Sequence, residues 1–134
     1  MGAKPAIVDL PSSFDALTFL PDRSPTMERS SIRWADTVAD YRDGAIFIVH
    51  YAGSSQWERH QQGDEVVMVI EGATTMTLFL DGEDQPVPLT ANQLVVVPQG
   101  TWHRFDTPNA AKIMTITPQP TGHMLEHPST RELR

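Results

Sequence analysis

From about residue 31 onward, the chain consists of short, β-prone apolar runs separated by turn residues. Asp43-Gly44, Asp81-Gly82 and the segment 98–100 are examples of the breaks. Many short runs with turns about every 8–12 residues are typical of an all-β sandwich or barrel. Apolar residues do not repeat with a helical period over any long segment, which argues against alternating helix–strand units. Strands are predicted at residues 32–38, 45–51, 65–70, 74–80, 93–97, 102–105 and 112–117.

The first thirty residues have a different pattern, because four prolines interrupt them. Proline fixes φ and lacks a backbone donor, so a long helix or a central strand is not expected there. We interpret residues 1–30 as an N-terminal arm that packs onto the body, with a helical turn near Phe14. Residues 31–118 form the predicted barrel. Residues 119–134 form a polar tail, which we expect to be loosely attached.

Two predicted strands are apolar on both faces, at residues 66–70 and 94–97. One face of such a strand fills the barrel, and the other face needs a cover. A second sheet, the arm or a second subunit could supply it. Because closed two-fold assemblies are the commonest soluble oligomers, we expect a homodimer.

Charge and cysteine content exclude several classes of function. The 134 residues include 10 basic and 17 acidic side chains, a net charge of −7. Nucleic-acid binding needs clustered Lys and Arg, so no nucleic-acid partner is expected. The lack of cysteine excludes disulfides and thiolate metal sites and fits a reducing compartment. No apolar run approaches the roughly 20 residues of a membrane span, and no signal peptide is recognisable. We therefore expect a cytoplasmic protein with no membrane partner.

Four residues in the middle of the chain are candidates for chemistry. Glu58 and His60 lie two positions apart in an extended segment, so their side chains point to the same side. Glu65 opens the next predicted strand, and His103 follows the turn at residues 98–100. Nucleotide-binding loops, GxSxG elbows and HExxH helices are missing.

Two motifs around these residues resemble those of the cupin superfamily. One has the spacing His-x4-Glu-x6-Gly, from His60 through Glu65 to Gly72. The other has the spacing Pro-x-Gly-x2-His and ends at His103. The resemblance implies an antiparallel double-sheet jelly-roll barrel, which agrees with the strand pattern.

The resemblance also implies a divalent metal site inside the barrel. Cupins usually hold one metal ion through three histidines and a glutamate. Here the corresponding positions hold a carboxylate in place of the first histidine, and the expected ligands are Glu58, His60, Glu65 and His103. Imidazole and carboxylate together suit Fe, Mn, Zn or Ni, and the identity of the metal stays open.

Glu58 has an alternative role, because it stands where the family has a histidine. It could form an ion pair across the barrel mouth and leave a three-ligand site. The candidate partners are Arg59, Arg104 and Arg33.

Trp57, Trp102 and His50 are candidates for contact with a small-molecule ligand. The two tryptophans flank motif residues and could stack on a ligand or fill the barrel end. His50 lies in a predicted strand and could line the barrel mouth.

The function implied is that of a small single-domain cupin. It would bind a divalent metal ion and a small polar or carboxylate-bearing molecule. Cupins of this layout include dioxygenases, isomerases and decarboxylases, so the fold does not choose a reaction, and turnover itself stays open. The alternative is a metal-free module that binds or senses a small molecule without turnover.

Overall fold

The computed structural model describes the backbone of residues 4–132 and the side chains of residues 4–130. The first three residues of the predicted arm and the last two of the predicted tail lie outside the described residues. The elements in chain order are α1 (Leu10–Asp15), β1 (Leu20–Arg23), β2 (Ala35–Tyr41), β3 (Gly44–Ser54), β4 (Trp57–His60), β5 (Glu65–Leu80), β6 (Glu83–Thr90), β7 (Leu94–Val97), β8 (His103–Pro118), β9 (Thr121–Met124) and α2 (Pro128–Glu132). The predicted all-β class is confirmed.

Two long strands, β5 and β8, form the centre of the antiparallel jelly-roll arrangement. Each has 16 residues, and they pair along much of their length. β8 also pairs with β3 and β4, while β5 pairs with β7 near its start and with β6 near its end. Each long strand therefore takes part in two sections of sheet, which encloses the interior.

Each long strand merges two strands that the sequence predicts as separate. In β5 the break falls at Gly72, which has a φ of 84°. A Cβ atom there would collide with the carbonyl oxygen of Ala110 on β8. Glycine lets the two backbones approach at this bend, so the strand changes direction without ending.

The interior is filled by side chains that alternate along the strands. Inward residues of β3, β5 and β8 form one apolar cluster with residues from the neighbouring strands. The largest fully buried apolar side chains are those of Tyr51, Ile48, Met76, Ile113, Val67, Val69 and Val97. All but Ile48 belong to this cluster.

The first part of the N-terminal arm packs on the outside of the sheet, whereas its later part joins the sheet as β1. The helical turn expected near Phe14 is present as α1, where Asp9 caps the N-terminus by accepting a hydrogen bond from the Ser12 amide at 3.0 Å. Phe14 and Leu17 pack against Ile48 on the outer face of β3. The arm thus covers part of the apolar outer surface.

Strands β1, β4, β6 and β9 are absent from the predicted strands, although an extended segment was expected at Glu58 and His60. β6 contains Pro86 and Pro88 and pairs with β5 alone among the described strands, which is an edge position that tolerates a missing donor. β1 pairs in parallel with β3, and β9 pairs antiparallel with β4. The expectation of a loosely attached tail is therefore wrong for residues 121–124. The division of the chain at residues 30 and 118 stays a prediction.

The two helices, of 6 and 5 residues, are short. Within residues 4–132, no helix has the length and apolar character needed to cross a membrane.

Candidate metal centre

Three side chains from different strands meet inside the barrel. His60 ends β4, Glu65 begins β5 and His103 begins β8. Their relative exposures are 3%, 4% and 0%, and one ligand atom of each lies within 4.8 Å of the others. The structure thus brings together three of the four residues expected as metal ligands.

The two turns between these strands are tied to each other. The Gly100 amide donates to the carbonyl oxygen of His60 at 2.9 Å, and the Gln99 amide donates to the Asp64 carboxylate at 2.8 Å. These bonds fix the end of β4, the start of β5 and the turn before β8 in one place. The turn residues of both motifs therefore position the side chains that the motifs contain.

The three side chains lie close together without satisfying one another. The Nε2 atom of His103 lies 3.0 Å from Oε1 of Glu65, and the Nε2 atom of His60 lies 3.2 Å from Oε2. These distances suit ion pairs. The two Nε2 atoms and Glu65 Oε1 are all buried and have no hydrogen-bond partner among the described residues. Buried polar atoms without partners are rare, because each loses its water without compensation.

The other ring nitrogen of each histidine does have a partner. The Nδ1 atom of His103 lies 2.9 Å from the carbonyl oxygen of Thr101, which can only accept, so Nδ1 carries a proton. The Nδ1 atom of His60 lies 3.1 Å from the Thr121 hydroxyl, which donates in turn to the Gln119 side chain at 3.5 Å. When each ring is neutral and its proton is on Nδ1, the lone pair of Nε2 faces Glu65. A histidine that binds a metal through Nε2 needs this tautomer.

Glu65 and His103 stabilise each other's charges. Burial opposes ionisation of Glu65, but the contacts with His103 and His60 outweigh it and lower the pKa of Glu65 to about 2. Burial also opposes the charge on His103, but the neighbouring carboxylate raises the pKa of His103 above its ordinary value. The Thr117 hydroxyl donates to Oε2 of Glu65 at 2.7 Å and fixes the orientation of the carboxylate.

These residues fit a divalent cation. Two imidazole nitrogens and one carboxylate are suitable ligands for Fe, Mn, Zn or Ni. A single cation among them would compensate all three unpartnered atoms, and it would take the place of the proton that His103 gains beside Glu65.

A cavity of about 200 Å³ adjoins the cluster. His60 and Glu65 form part of its wall, whereas His103 is fully buried and is not part of the wall. Burial raises the pKa of the Tyr51 hydroxyl, which therefore keeps its proton at neutral pH. That hydroxyl also has no hydrogen-bond partner among the described residues. The remaining wall residues are Arg23, Ala35, Phe47, Val49, Glu58, Phe105, Ile113, Thr115, Thr117, Gln119 and Thr121.

Glu58 lies near the cluster but is not part of it. It pairs with His103 in strand register, and its Oε1 atom lies 3.7 Å from the Nη2 atom of Arg23. Glu58 thus forms an ion pair, as the alternative interpretation expected, but its partner is Arg23 and not Arg59, Arg104 or Arg33. Arg23 belongs to β1, a strand that was not predicted because prolines interrupt this part of the sequence.

The three expected ligand-contact residues do not line the cavity. Trp57 is buried and packs edge-on against His127, with a centroid distance of 5.2 Å. Trp102 is buried beneath the guanidinium group of Arg59 at 4.6 Å. Both tryptophans thus pack against other side chains of the protein, and their contact with a ligand stays a prediction.

His50 lies outside the barrel, because inward and outward residues alternate along β3. Val49 and Tyr51 face the cavity, and His50 contacts Phe19 of the arm with a centroid distance of 5.0 Å. The same alternation would have identified Tyr51 as a cavity residue from the sequence.

The comparison with protein families agrees with this geometry. Residues 45–117, more than half of the chain, match the family described as Cupin domain. The chain belongs to this family. The resemblance noted in the motifs is therefore confirmed, and the chain is called the cupin below.

The relatives of this cupin are distant. It is 29% identical over 69 residues to the uncharacterized protein YdbB of Bacillus subtilis (strain 168), a match that covers 51% of the cupin and 58% of YdbB. The matched region thus spans less than two thirds of that relative.

Two solved structures share its fold. A cupin-2 domain containing protein from Shewanella frigidimarina NCIMB 400 has a TM-score of 0.62 and 23% identity, covering 85% of the cupin and 96% of that chain. Hydroquinone 1,2-dioxygenase PnpCD, solved in complex with Cd2+ and 4-hydroxybenzonitrile, has a TM-score of 0.56 and 19% identity, covering 63% of each chain. At these identities the likeness shows the fold alone.

Proposed function

We propose that His60, Glu65 and His103 hold one divalent metal ion and that the cupin binds a small polar or carboxylate-bearing molecule in the adjoining cavity. The observation that carries this proposal is the convergence of three buried ligand atoms without hydrogen-bond partners among the described residues. The fold similarity to a dioxygenase solved with Cd2+ supports it.

Two histidines and one carboxylate form the proposed ligand set, since Glu58 contacts Arg23 instead. Such a set is typical of Fe(II) sites that keep open positions, although Mn, Zn and Ni also accept these ligands. A bound metal would act as a Lewis acid and polarise a polar group of the ligand. The second partners of the ligands, Thr101, Thr117 and Thr121, keep both rings and the carboxylate aligned.

Turnover is a further step that the fold alone does not assign. An enzymatic role of the dioxygenase, isomerase or decarboxylase type would place the substrate in the cavity, where His60 and Glu65 reach the wall. The mostly apolar walls would exclude water from that substrate.

A second candidate is a metal-free module that binds or senses a small molecule. The observation in its favour is that Glu65 and His103 also form a charge pair in which each stabilises the other's ionised form. This pair would hold the strands together without a cation.

Metal analysis of protein purified without chelator distinguishes the two candidates. The metal-binding function predicts about one equivalent of metal per chain, which His103→Ala removes. His50→Ala is the matched control, because that histidine lies on the outer face beside Phe19. A parent protein that stays metal-free after growth and purification with added Fe, Mn, Zn and Ni favours the metal-free module.

We also propose that the cupin is a homodimer formed through the outer face of the barrel. Strand register aligns an apolar row of Ile46, Ile116, Val66 and Val96 across four strands. Leu94 and Val96 are 55% and 51% exposed, whereas the arm covers the opposite end of this face. A second copy would bury the uncovered end.

A cytoplasmic location without a nucleic-acid partner completes the proposal. It is supported by the absence of cysteine and the net charge of −7.

A further inference from the structure

Arg23 stands where the barrel cavity opens into a larger groove. This outer groove has a volume of about 660 Å³ and is lined mainly by side chains of residues 23–35. Arg23, Ala35 and Glu58 line both the groove and the cavity. A molecule that enters the cavity from the groove therefore passes the guanidinium group of Arg23.

The position of Arg23 is set by backbone pairing and by stacking. Arg23 is the last residue of β1 and lies opposite Gly53 of β3. Gly53 has a φ of 118°, and a Cβ atom there would collide with the carbonyl oxygen of Arg23. The guanidinium carbon lies 4.8 Å from the ring centroid of Trp34 and 4.7 Å from that of Tyr51. These two aromatic faces hold the cation without using its donors.

The hydrogen-bond donors of Arg23 are available to a ligand. The ion pair with Glu58 is 3.7 Å long, which exceeds the roughly 2.7–3.2 Å of a hydrogen bond. The side chain is 18% exposed, and Arg23 lines both the groove and the cavity. The neighbouring Tyr51 hydroxyl is a second donor without a partner among the described residues. Two donor groups thus border one space, and neither has a hydrogen-bond acceptor in the part of the chain that the structure describes.

The charge balance of the cavity favours a ligand with one negative charge. A divalent ion on Glu65 and two neutral histidines leaves one uncompensated positive charge. Arg23 and Glu58 neutralise each other and do not change this balance. A ligand with one negative charge would therefore neutralise the cavity, whereas a neutral ligand would leave one positive charge among largely apolar walls.

The size and lining of the cavity limit the rest of the ligand. An apolar cavity of about 150 Å³ accommodates benzene. The cupin cavity is about 200 Å³, and Phe47, Val49, Phe105 and Ile113 form apolar parts of its wall. This space suits a single ring, or an aliphatic group of similar size, that carries one small acid group.

We propose that Arg23 and Tyr51 form an acid-binding subsite and that the ligand of this cupin is a compact monocarboxylate with an apolar body of about one ring. This inference rests on the proposed function, because the charge balance includes the bound metal. Arg23 and Tyr51 donate to the carboxylate, and the apolar body lies against Phe47 and Phe105. Arg23 precedes the matched cupin region, so the arm supplies this residue of the subsite.

Benzoate and benzamide provide the test, since they have nearly the same shape and differ in charge. Each is titrated calorimetrically into the full-length protein, and the metal content of every sample is measured. Loss of a charge-assisted hydrogen bond typically weakens binding by about ten- to a hundredfold. We therefore expect benzamide to bind the parent more weakly by about that factor and Arg23→Met to lose the preference for benzoate.

Three further variants make the test specific. Arg59→Met is the matched control, because Arg59 also stacks on a tryptophan but does not line the cavity, and it should bind benzoate as the parent does. Glu58→Gln should tighten benzoate binding, since it removes the carboxylate that competes for Arg23. Arg23→Lys keeps the charge but not the planar fork, and it should retain part of the preference.

The outcomes separate this inference from the proposed function. Equal affinity for both probes, no benzoate binding at millimolar concentration, or a full preference in Arg23→Met would overturn the acid-binding subsite. Arg23→Met should keep the metal content of the parent. A parent without metal that still prefers benzoate through Arg23 would refute the metal centre and leave the subsite standing.

Discussion

The Nε2 atom of His103 lies 3.0 Å from the Oε1 atom of Glu65, yet neither atom has a hydrogen-bond partner among the described residues. Two ligands of a shared cation would have this proximity. Thr101 orients His103 through its carbonyl oxygen, and Thr117 orients Glu65 through its hydroxyl group. The first prediction follows from this relationship.

Glu65→Gln and His103→Ala should abolish metal loading, whereas Glu58→Gln should retain most of it. Glu65 is inside the cluster, and Glu58 is engaged by Arg23. Glu58→His, which restores the commoner cupin ligand set, should retain or tighten binding. Metal content per chain, measured after identical purification, decides the matter. Equal losses in Glu58→Gln and Glu65→Gln would show that Glu58 is a ligand after all.

Chelation should lower the melting temperature of the parent but leave His103→Ala unchanged. A ligand present at a hundred times its dissociation constant stabilises the folded state by about 2.7 kcal/mol. In a domain of this size that corresponds to a Tm shift of roughly 10 °C. Differential scanning fluorimetry with and without chelator provides the measurement. If neither chelator nor added metal changes the Tm of the parent protein, the proposed metal centre is wrong.

Thr117→Val should weaken metal binding by about tenfold while leaving the fold intact. The substitution keeps the β-branched shape and removes the hydroxyl that donates to Glu65 at 2.7 Å. Loss of such an outer partner typically costs about ten- to a hundredfold in metal affinity. Thr77→Val on β5 is the control, since Thr77 does not line the cavity. Competition titration with a chromogenic chelator gives the affinities, and an unchanged value for Thr117→Val would show that this bond does not orient the carboxylate.

Gly72→Ala should destabilise the protein more than Gly82→Ala. Both glycines have positive φ, 84° and 76°, so each substitution introduces backbone strain of about 1 kcal/mol. A Cβ atom at Gly72 also collides with the carbonyl oxygen of Ala110, whereas one at Gly82 has nothing within 4 Å. Urea unfolding should show a loss of at least about 2 kcal/mol for Gly72→Ala. Similar losses for both variants would mean that β5 and β8 separate at the bend without cost.

Leu94→Lys should convert the proposed dimer to a monomer. Leu94 is 55% exposed at the uncovered end of the apolar face, and Leu125, at 58%, provides a control of similar exposure elsewhere. A charge in the centre of an apolar interface opposes association, because it loses its water without a partner. Light scattering coupled to gel filtration gives the mass of each variant. A monomeric parent at micromolar concentration, or dissociation of Leu125→Lys alone, contradicts the assignment of this face.

The candidate cluster could be predicted from the sequence because its residues match the two motifs that resemble those of cupins. His60 and Glu65 flank one turn, and His103 follows another, so short-range turn chemistry brings them to the ends of paired strands. The barrel itself could be predicted from alternation and turn residues. Continuity of β5 through Gly72 could not, because it depends on contact with Ala110 far along the chain.

The contribution of Arg23 to the cavity wall could not be predicted either, because it also depends on a contact between distant parts of the chain. Arg23 reaches the cavity only because β1 pairs in parallel with β3, a contact between residues about thirty positions apart. Its local sequence, with prolines on both sides, favours a loop. Pro86 and Pro88 likewise conceal β6, since the tolerance of an edge strand for proline depends on which neighbours the fold supplies.

Because β1 pairs with β3, two separate stretches of the chain contribute residues to the wall of the cavity. The proposed metal ligands lie inside the matched cupin region, whereas Arg23 of the cavity wall lies before it. Strand β1 is held by a single strand partner among the described elements. We therefore expect that a different N-terminal arm on the same barrel would change the proposed ligand preference and leave the proposed metal ligands unchanged. Chimeras that exchange residues 1–30 between related barrels offer a direct way to redesign ligand preference.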